Sequence, residues 1–311
     1  MAVRNRNSRV GDALVDHLGE RSSSYSWDVT SPSPIIDERV EVPGEELSLD
    51  ALTADISVFQ RKKGHRFSSD DLVTAWFAMQ VCPRPATVLD LGCGLGSVLL
   101  HLSWSAPDST LVGIEAQSQS YALLEKNVAH NGLGDRITVH HGDLRDPDLL
   151  ASLDAPFDLI TGTPPYFPAD TATKAMDTQR AFARLEYRGG IEAYVDTAAR
   201  LLTTDGWFVV CGDADASSRL ELAAAESDLA VCGSVTVVPR AGRQPLFTVW
   251  ALRRQHGATD AGERSNSCDW RTLPTIERTL TLRDRAGERT DEAKMMRAFS
   301  GFEEAGNAHR G

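Results

Sequence analysis

Paired cysteines, long apolar runs and an excess of basic residues are all missing from this sequence. Its five cysteines are odd in number, scattered, and without C-x-x-C spacing, which argues against a disulfide framework or a zinc site and favours a reduced, cytoplasmic compartment. No run approaches the ~20 consecutive apolar residues that span a bilayer. The 311-residue chain has a formal net charge of −12 and is long enough to bury one large core.

Closely spaced glycines follow a short apolar run. Residues 87–97 read T-V-L-D-L-G-C-G-L-G-S, so a predicted strand ends near Asp90 and breaks into a turn. The turn contains Gly92, Cys93, Gly94 and Gly96. Glycines this close together are needed where the backbone takes positive φ or where a ligand contacts bare backbone. A dinucleotide-binding G-x-G-x-x-G turn would have its third glycine at Ser97, so the spacing indicates a different ligand.

Acidic residues follow the next two predicted strands. Glu115 ends the apolar run 111–115, about 20 residues after the glycines, where an acid can reach a nucleoside ribose. Asp143 and Leu144 follow the run 136–140, at another strand end. A carboxylate can accept hydrogen bonds from both ribose hydroxyls, so Glu115 is predicted to bind a ribose. A solvated strand-end acid is the alternative for Glu115, and a turn-forming residue is the alternative for Asp143.

A fourth predicted strand, residues 157–162, runs directly into two prolines. The segment after it is Thr163, Pro164, Pro165 and Tyr166. Successive prolines stiffen the chain and lack N–H donors, so carbonyl oxygens are left to face a ligand. The alternative is a turn that only ends the strand.

The glycine turn and the Pro-Pro-Tyr segment resemble motifs I and IV of class I methyltransferases, which use S-adenosylmethionine. The resemblance implies a doubly wound, seven-stranded Rossmann-like α/β sheet with an antiparallel last strand. It also implies that Asp90 and the glycine turn hold the methionine end of the cofactor, Glu115 the ribose, and Asp143 the adenine. The implied cofactor-binding set is Asp90, Gly92, Cys93, Gly94, Gly96, Glu115, Asp143 and Leu144.

Motif IV of the amino-methyltransferases usually reads (N/D)-P-P-(Y/F/W). Its Asn oxygen and a proline carbonyl accept hydrogens from the target nitrogen, and its aromatic ring stacks on a planar substrate. Thr163 replaces the Asn here, and its hydroxyl is a shorter acceptor. The implied catalytic set is Thr163, Pro164, Pro165 and Tyr166.

Two flanking segments are similar to the group of the tRNA(Val) adenine-N6-methyltransferases. Residues 64–71 read G-H-R-F-S-S-D-D, and residues 183–186 read A-R-L-E, with Leu185 where the group has His. The similarity covers residues 58–252 and implies methyl transfer to adenine N6 of an RNA such as tRNA, directly in line and without a metal. The substrate residues that it implies are Arg66, Phe67, Phe167 and Arg184.

The acidic charge leaves the substrate open. A nucleic-acid binder usually has a basic patch that replaces phosphate counterions. Two clusters are predicted to form a basic rim at the pocket mouth: Arg61, Lys62, Lys63, His65 and Arg66, and then Arg180, Arg184 and Arg188. Ordinary solvated charges are the alternative. A methyltransferase acting on protein glutamine or a small metabolite, and a non-catalytic cofactor-binding module, are the other interpretations.

The predicted organisation has three parts. Residues 1–50 are expected to be a loosely ordered extension, residues 51–252 the methyltransferase domain, and residues 253–311 a charged, partly disordered extension. Residues 279–282 could add an edge strand to the sheet. No membrane association is expected, and the sequence leaves the oligomeric state open.

Overall fold

A mixed eight-stranded sheet carries the candidate site. The computed structural model describes residues 46–166, 179, 183, 185–255 and 276–302. In these ranges the strands are β1 Leu47–Ala51, β2 Ser57–Arg61, β3 Thr87–Leu91, β4 Thr110–Glu115, β5 Ile137–His141, β6 Phe157–Gly162, β7 Leu202–Asp213, β8 Leu229–Val238, β9 Phe247–Arg254 and β10 Ile276–Thr281. The helices are α1 Ser69–Val81, α2 Ser97–Ser105, α3 Ser118–His130, α4 Pro147–Ala151, α5 Ile191–Leu201, α6 Ser217–Glu226 and α7 Asp291–Phe299.

The strand order confirms the predicted doubly wound sheet. It is β10-β8-β9-β7-β6-β3-β4-β5, and β1 pairs with β2 in a separate hairpin. All neighbours in the large sheet are parallel except β9, which runs antiparallel to both β7 and β8. The seven strands β3 to β9 were thus predicted from the sequence pattern, and the antiparallel direction of the last one was implied by the family resemblance. The possible edge strand at 279–282 is β10, at 276–281, which becomes an eighth strand beside β8.

The central strands are apolar throughout because both of their faces are covered. Val88 of β3 and Leu159 of β6 face one core, while Leu89 and Ile160 face the other. All four side chains are fully buried. Successive residues of a strand point to opposite faces, so an uninterrupted apolar run is what a doubly covered parallel strand requires.

The chain order reverses between two neighbouring strands, and this reversal positions the site. β3 lies between β4 and β6, so the connections from β3 and from β6 leave in opposite directions. Ligands of open α/β sheets bind in the crevice at the carboxyl ends of such strands. The glycine turn follows β3 and the Pro-Pro-Tyr segment follows β6, with Leu91 directly beside Gly162 in the sheet register.

Part of the predicted C-terminal extension belongs to the same folded unit. Leu280 of β10 and Met296 of α7 are buried in the core. The carbonyl of Ser300 accepts a hydrogen bond from the N–H of Ala54 at 2.8 Å. Residues 276–302 are therefore structured, and β1 begins before the predicted boundary at residue 50. Residues 1–45, 256–275 and 303–311 lie outside the described part of the chain.

Two features are absent from the described residues. No helix among them is both long and apolar enough to cross a bilayer. They also contain no group of three or more His, Cys, Asp or Glu side chains placed to hold a metal ion.

Candidate active site

One pocket opens at the carboxyl ends of β3, β4, β5 and β6. It contains about 870 Å³ of space, part of which is open solvent. Many residues predicted from the sequence line it: Phe67, Gly92, Cys93, Gly94, Glu115, Asp143, Leu144, Thr163 and Pro165. Asp90, Gly96, Pro164, Tyr166 and Arg66 do not line it. Phe167 and Arg184 fall outside the described residues, so their predicted roles stay predictions.

The glycine turn presents bare backbone to this pocket. Gly92 and Gly94 have φ of +60° and +57°, a region that side chains disfavour. A Cβ at Gly92 would lie 2.1 Å from the hydroxyl oxygen of Tyr194. A Cβ at Gly94 would meet no atom within 4 Å, so it would project into open space. Gly92 is thus required by packing, whereas Gly94 leaves room next to the backbone.

Glu115 ends β4 and is tied to the glycine turn. Its side chain is buried, and its Oε2 accepts a hydrogen bond from the N–H of Gly94 at 2.8 Å. Its Oε1 accepts from the N–H of Gln117 at 2.7 Å. Glu115 is therefore held in one orientation at the edge of the pocket, which it lines.

Asp90 lies in the sheet behind the turn. It is 1% exposed, and its Oδ1 accepts a hydrogen bond from the hydroxyl of Thr161 at 2.6 Å. Its Oδ2 is buried and, among the described residues, has no hydrogen-bond partner of normal geometry. Burial raises the pKa of Asp90 to about 7, and the charge of Glu115 adds to this rise. Asp90 does not line the pocket, so its predicted contact with the methionine end stays a prediction.

Asp143 lies in the pocket wall with its carboxylate already paired. Arg145 donates from Nε to Oδ1 at 2.9 Å and from Nη2 to Oδ2 at 2.7 Å. Burial acts to raise the pKa of Asp143, but the hydrogen bonds from Arg145 outweigh it and lower the pKa below its usual value. Asp143 is thus an ionised acceptor, and an adenine amino group would have to share it with Arg145.

The Pro-Pro-Tyr segment is divided between the pocket and the core. Thr163 and Pro165 line the pocket, whereas Pro164 is buried outside its lining. The hydroxyl of Tyr166 donates to Oδ2 of Asp70 at 3.0 Å and lies 2.9 Å from Sγ of Cys211. Tyr166 is thereby anchored at the start of α1, and its predicted stacking on a substrate stays a prediction.

We expect the Tyr166–Asp70 hydrogen bond to stabilise the fold. Replacing Tyr166 by Phe should lower the free energy of unfolding by about 1.5–3 kcal/mol, the usual contribution of a hydrogen bond to a carboxylate. Urea unfolding of Y166F, D70A and the double variant forms a double-mutant cycle that cancels the other contacts of Asp70. Strictly additive losses would show that the two side chains are not coupled.

Sequence reasoning missed two residues of the site. Asp71 was treated only as part of the segment before α1, but it lines the pocket and is 8% exposed. Its Oδ2 accepts a hydrogen bond, at 3.0 Å, from the N–H of Ser68, and Ser68 is the N-cap residue of α1. The other is Tyr194 of α5, which lines the pocket and packs against Gly92. The capping contact of Asp71 is local, but its place in the pocket and the packing of Tyr194 against Gly92 bring together segments that are far apart in the sequence.

Asp71 should make stability depend on pH. Burial, with the neighbouring charge of Asp70, raises its pKa from 3.8 to about 8. The folded state then binds more protons than the unfolded state, so this contribution to stability is complete below about pH 4 and is lost as the pH rises towards 8. We expect D71N to gain stability relative to the wild type as the pH rises from about 5 to 8 in urea unfolding. A difference that stays constant over this range would contradict the buried, proton-binding carboxyl.

The predicted basic rim is partly wrong. Arg61 is 6% exposed, and its Nη1 donates to the side-chain oxygens of Gln119 and Gln179, both at 3.0 Å. Lys62 pairs with Glu46 at 3.2 Å, and Arg66 pairs with Asp50 at 3.1 Å. Because Arg61 is inside the protein and these two cations are paired, the cluster has less free positive charge than its sequence indicates. In the second cluster Arg188 lines the pocket, and Arg180 and Arg184 lie outside the described residues.

Comparison with known proteins agrees with this arrangement. A family model described as a methyltransferase domain matches residues 88–186. A tRNA1(Val) (adenine(37)-N6)-methyltransferase of Bacteroides thetaiotaomicron is 31% identical over 178 residues, which cover 56% of this chain and 70% of that protein. A release factor glutamine methyltransferase of Geobacter sulfurreducens is 31% identical over 140 residues, which cover 43% of this chain and 47% of that protein.

Among solved structures, a predicted O-methyltransferase of Agrobacterium tumefaciens has the same fold. Its TM-score is 0.52 at 13% identity, and the match covers 74% of this chain and 96% of that one. The fold and the pocket define a class I methyltransferase. The chain belongs to the S-adenosylmethionine-dependent methyltransferases, in the group that contains the tRNA1(Val) adenine-N6-methyltransferases.

The pocket residues fit S-adenosylmethionine as the cofactor. The ligand is cationic at its sulfonium and ammonium groups, and the carboxylates of Glu115 and Asp143 line the pocket. Glu115 lines the pocket at the position predicted for the ribose, and the backbone at Gly94 is open for close approach.

Proposed function

We propose that this enzyme methylates adenine N6 of an RNA such as a tRNA. The observation that carries the proposal is the position of Thr163 and Pro165 in the same pocket as the glycine turn, on the neighbouring strand end. The relative from Bacteroides thetaiotaomicron, and one from Yersinia enterocolitica that is 27% identical over 192 residues, are both tRNA1(Val) (adenine(37)-N6)-methyltransferases. A cytoplasmic location is part of the same proposal.

The proposed mechanism depends mainly on positioning. When bound, S-adenosylmethionine supplies an electrophilic methyl group on its sulfonium. Glu115 holds the ribose, and the Thr163 hydroxyl accepts one N–H of the target amine. The second acceptor in this proposal is the carbonyl of Pro164, a residue that is buried next to the pocket lining. With both hydrogens held, the nitrogen lone pair points along the line of transfer, and the acceptors stabilise the positive charge that develops on nitrogen. Solvent at the open side of the pocket can take the proton that leaves the methylated nitrogen.

A glutamine side chain is the second candidate substrate. A release factor glutamine methyltransferase of Mycolicibacterium smegmatis is 33% identical over 149 residues, which cover 46% of this chain. An amide nitrogen has the same delocalised lone pair as adenine N6, so the same acceptors would serve it. The net charge of −12 also favours a substrate other than nucleic acid. A small metabolite is a further candidate on the same grounds.

Transfer of a tritiated methyl group separates these candidates. The full-length protein is incubated with labelled S-adenosylmethionine and with the RNA, protein and small-molecule fractions of a bacterial extract, and labelled RNA is digested to nucleosides. Label that comigrates with N6-methyladenosine supports the proposal. Label in protein that is recovered as methylglutamine, or in the small-molecule fraction, overturns it. Binding of the cofactor by calorimetry without label in any fraction indicates a non-catalytic module.

A further inference from the structure

Exposed arginines are concentrated in two turns at one end of the sheet. The first turn, residues 239–246, joins β8 to β9, and the second, residues 282–290, follows β10. We call them together the arginine turns. Their arginines are Arg240, Arg243, Arg283, Arg285 and Arg289, and all of these side chains are exposed.

The arginine turns are one structural unit. The N–H of Ala241 donates to the carbonyl of Arg283 at 2.8 Å, and Nη2 of Arg240 donates to the carbonyl of Arg285 at 2.5 Å. The N–H of Leu282 donates to the carbonyl of Val238 at 2.9 Å. These contacts hold the cationic side chains in a defined area instead of on separate mobile loops.

This area is basic although the whole chain is acidic. Only two carboxylates, Asp284 and Glu288, lie within the arginine turns. Asp284 is occupied in its own turn, where Oδ1 accepts from the N–H groups of Gly287 at 2.7 Å and Glu288 at 2.9 Å. In the described ranges, no ion pair within 4.0 Å involves any arginine of these turns. Their charges therefore remain available to an external partner.

The strand directions put the arginine turns on the same edge of the sheet as the pocket. Both β7 and β8 are antiparallel to β9, so β8 runs in the same direction as β7. Because β6 is parallel to β7 and β10 is parallel to β8, all four strands run in the same direction. β8 and β10 therefore end where β6 ends. They lie three and four strands from β6 in the sheet order, or about 14–19 Å at ~4.8 Å per strand.

This distance suits a substrate that extends well beyond its target base. A double helix carries about one phosphate charge per 1.7 Å of its axis, so a base in the pocket would bring several phosphates to the arginine turns. Arginine binds phosphate in a planar, two-point geometry and is always charged. A glutamine side chain or a small metabolite would not reach these residues from the pocket by itself.

We propose that the arginine turns bind the phosphate backbone of the RNA whose target base enters the pocket. This inference rests on the proposed function and adds a binding surface to it. The surface lies outside residues 88–186, which the family model matches, and it is distinct from the basic rim that the sequence predicted. It supplies positive charge that the Arg61 cluster, with its internal partners, does not.

The test compares two double variants that remove the same charge. R243Q/R289Q changes the arginine turns, and neither side chain makes a hydrogen bond to another described residue. R84Q/R200Q is the matched control. Arg84 precedes β3 and Arg200 precedes β7, so both lie at the opposite edge of the sheet, and both are exposed.

Initial rates of tritium transfer into total tRNA are measured at several salt concentrations. For R243Q/R289Q we expect KM for tRNA to rise about tenfold near physiological salt, with kcat changed less than about twofold. The slope of log KM against log salt should fall by about 1.5, because two phosphate contacts are lost. The control variant should match the wild type, and the Kd for S-adenosylmethionine should be the same in all three proteins.

The outcomes separate this inference from the proposed function. If the wild type labels tRNA and R243Q/R289Q behaves like R84Q/R200Q, the arginine turns do not bind the substrate, while the proposed function stands. A fall in kcat at constant KM would likewise overturn the inference. If the wild type labels no RNA but labels a protein or a metabolite, both are overturned.

Discussion

A methyl group added at Gly94 should weaken cofactor binding by between about 10- and 100-fold, the range expected when a well-packed contact is overfilled by one group. The Cβ of G94A would enter the open space of the pocket, where no protein atom lies within 4 Å. The cofactor would therefore lose its close approach to the backbone between β3 and α2. Isothermal titration calorimetry of G94A with S-adenosylmethionine measures the change in Kd.

Gly132 is a matched control for Gly94. Its φ is +65°, against +57° at Gly94, and a Cβ there would also meet no atom within 4 Å. Gly132 lies in the turn between α3 and β5 and does not line the pocket. Both alanine variants should lose about 1–2 kcal/mol of unfolding free energy from backbone strain, but only G94A should lose affinity. Equal affinity losses, or none, would remove the glycine turn from the cofactor site.

Loss of the Thr163 hydroxyl should depress methyl transfer with little change in cofactor affinity. Thr163 lines the pocket at the carboxyl end of β6, where motif IV places an acceptor for the target N–H. A single oriented acceptor at a centre that develops charge is worth roughly 10- to 100-fold in kcat, somewhat less than a full oxyanion-hole donor. Initial rates on the labelled substrate, with Kd for the cofactor from calorimetry, give both quantities for T163A.

T163N is the informative partner of T163A. It restores the residue that motif IV usually has, with a longer carboxamide acceptor. We expect T163N to retain at least the wild-type kcat on an amine substrate, because its oxygen reaches further into the pocket. If T163A keeps full turnover, or if T163A and T163N lose activity equally, Thr163 is not an acceptor for the target nitrogen.

The sequence predicted the site most successfully where local spacing decides the structure. The run that ends at Asp90 and the glycines after it can form only a strand and a tight turn, and the structure has β3 at 87–91 and α2 from 97. Acids and prolines that follow parallel strands must meet at one edge, since parallel strands end together. For this reason the sequence alone could predict that Glu115, Asp143 and Thr163 lie in one pocket.

Contacts between distant segments could not be predicted in this way. The Tyr166–Asp70 hydrogen bond joins residues 96 positions apart, and the Arg61–Gln179 bond joins residues 118 apart. The run of basic residues predicts that Arg61 is a surface charge. Nothing in that run indicates that its partner is the side-chain amide of Gln179.

The sequence by itself predicted the strands of the large sheet, and its resemblance to methyltransferase motifs implied the class of enzyme and the cofactor. Strand period, glycine spacing and proline stiffness act over a few residues, so they can be read without the rest of the chain. Only the tertiary structure decided which charges are free. It buried Asp71 beside the pocket, paired Asp143 with Arg145, and left the arginines after β8 and β10 exposed on the active-site edge. Ionisation and partner choice depend on burial and on neighbours from distant segments, and these exist only once the sheet has assembled.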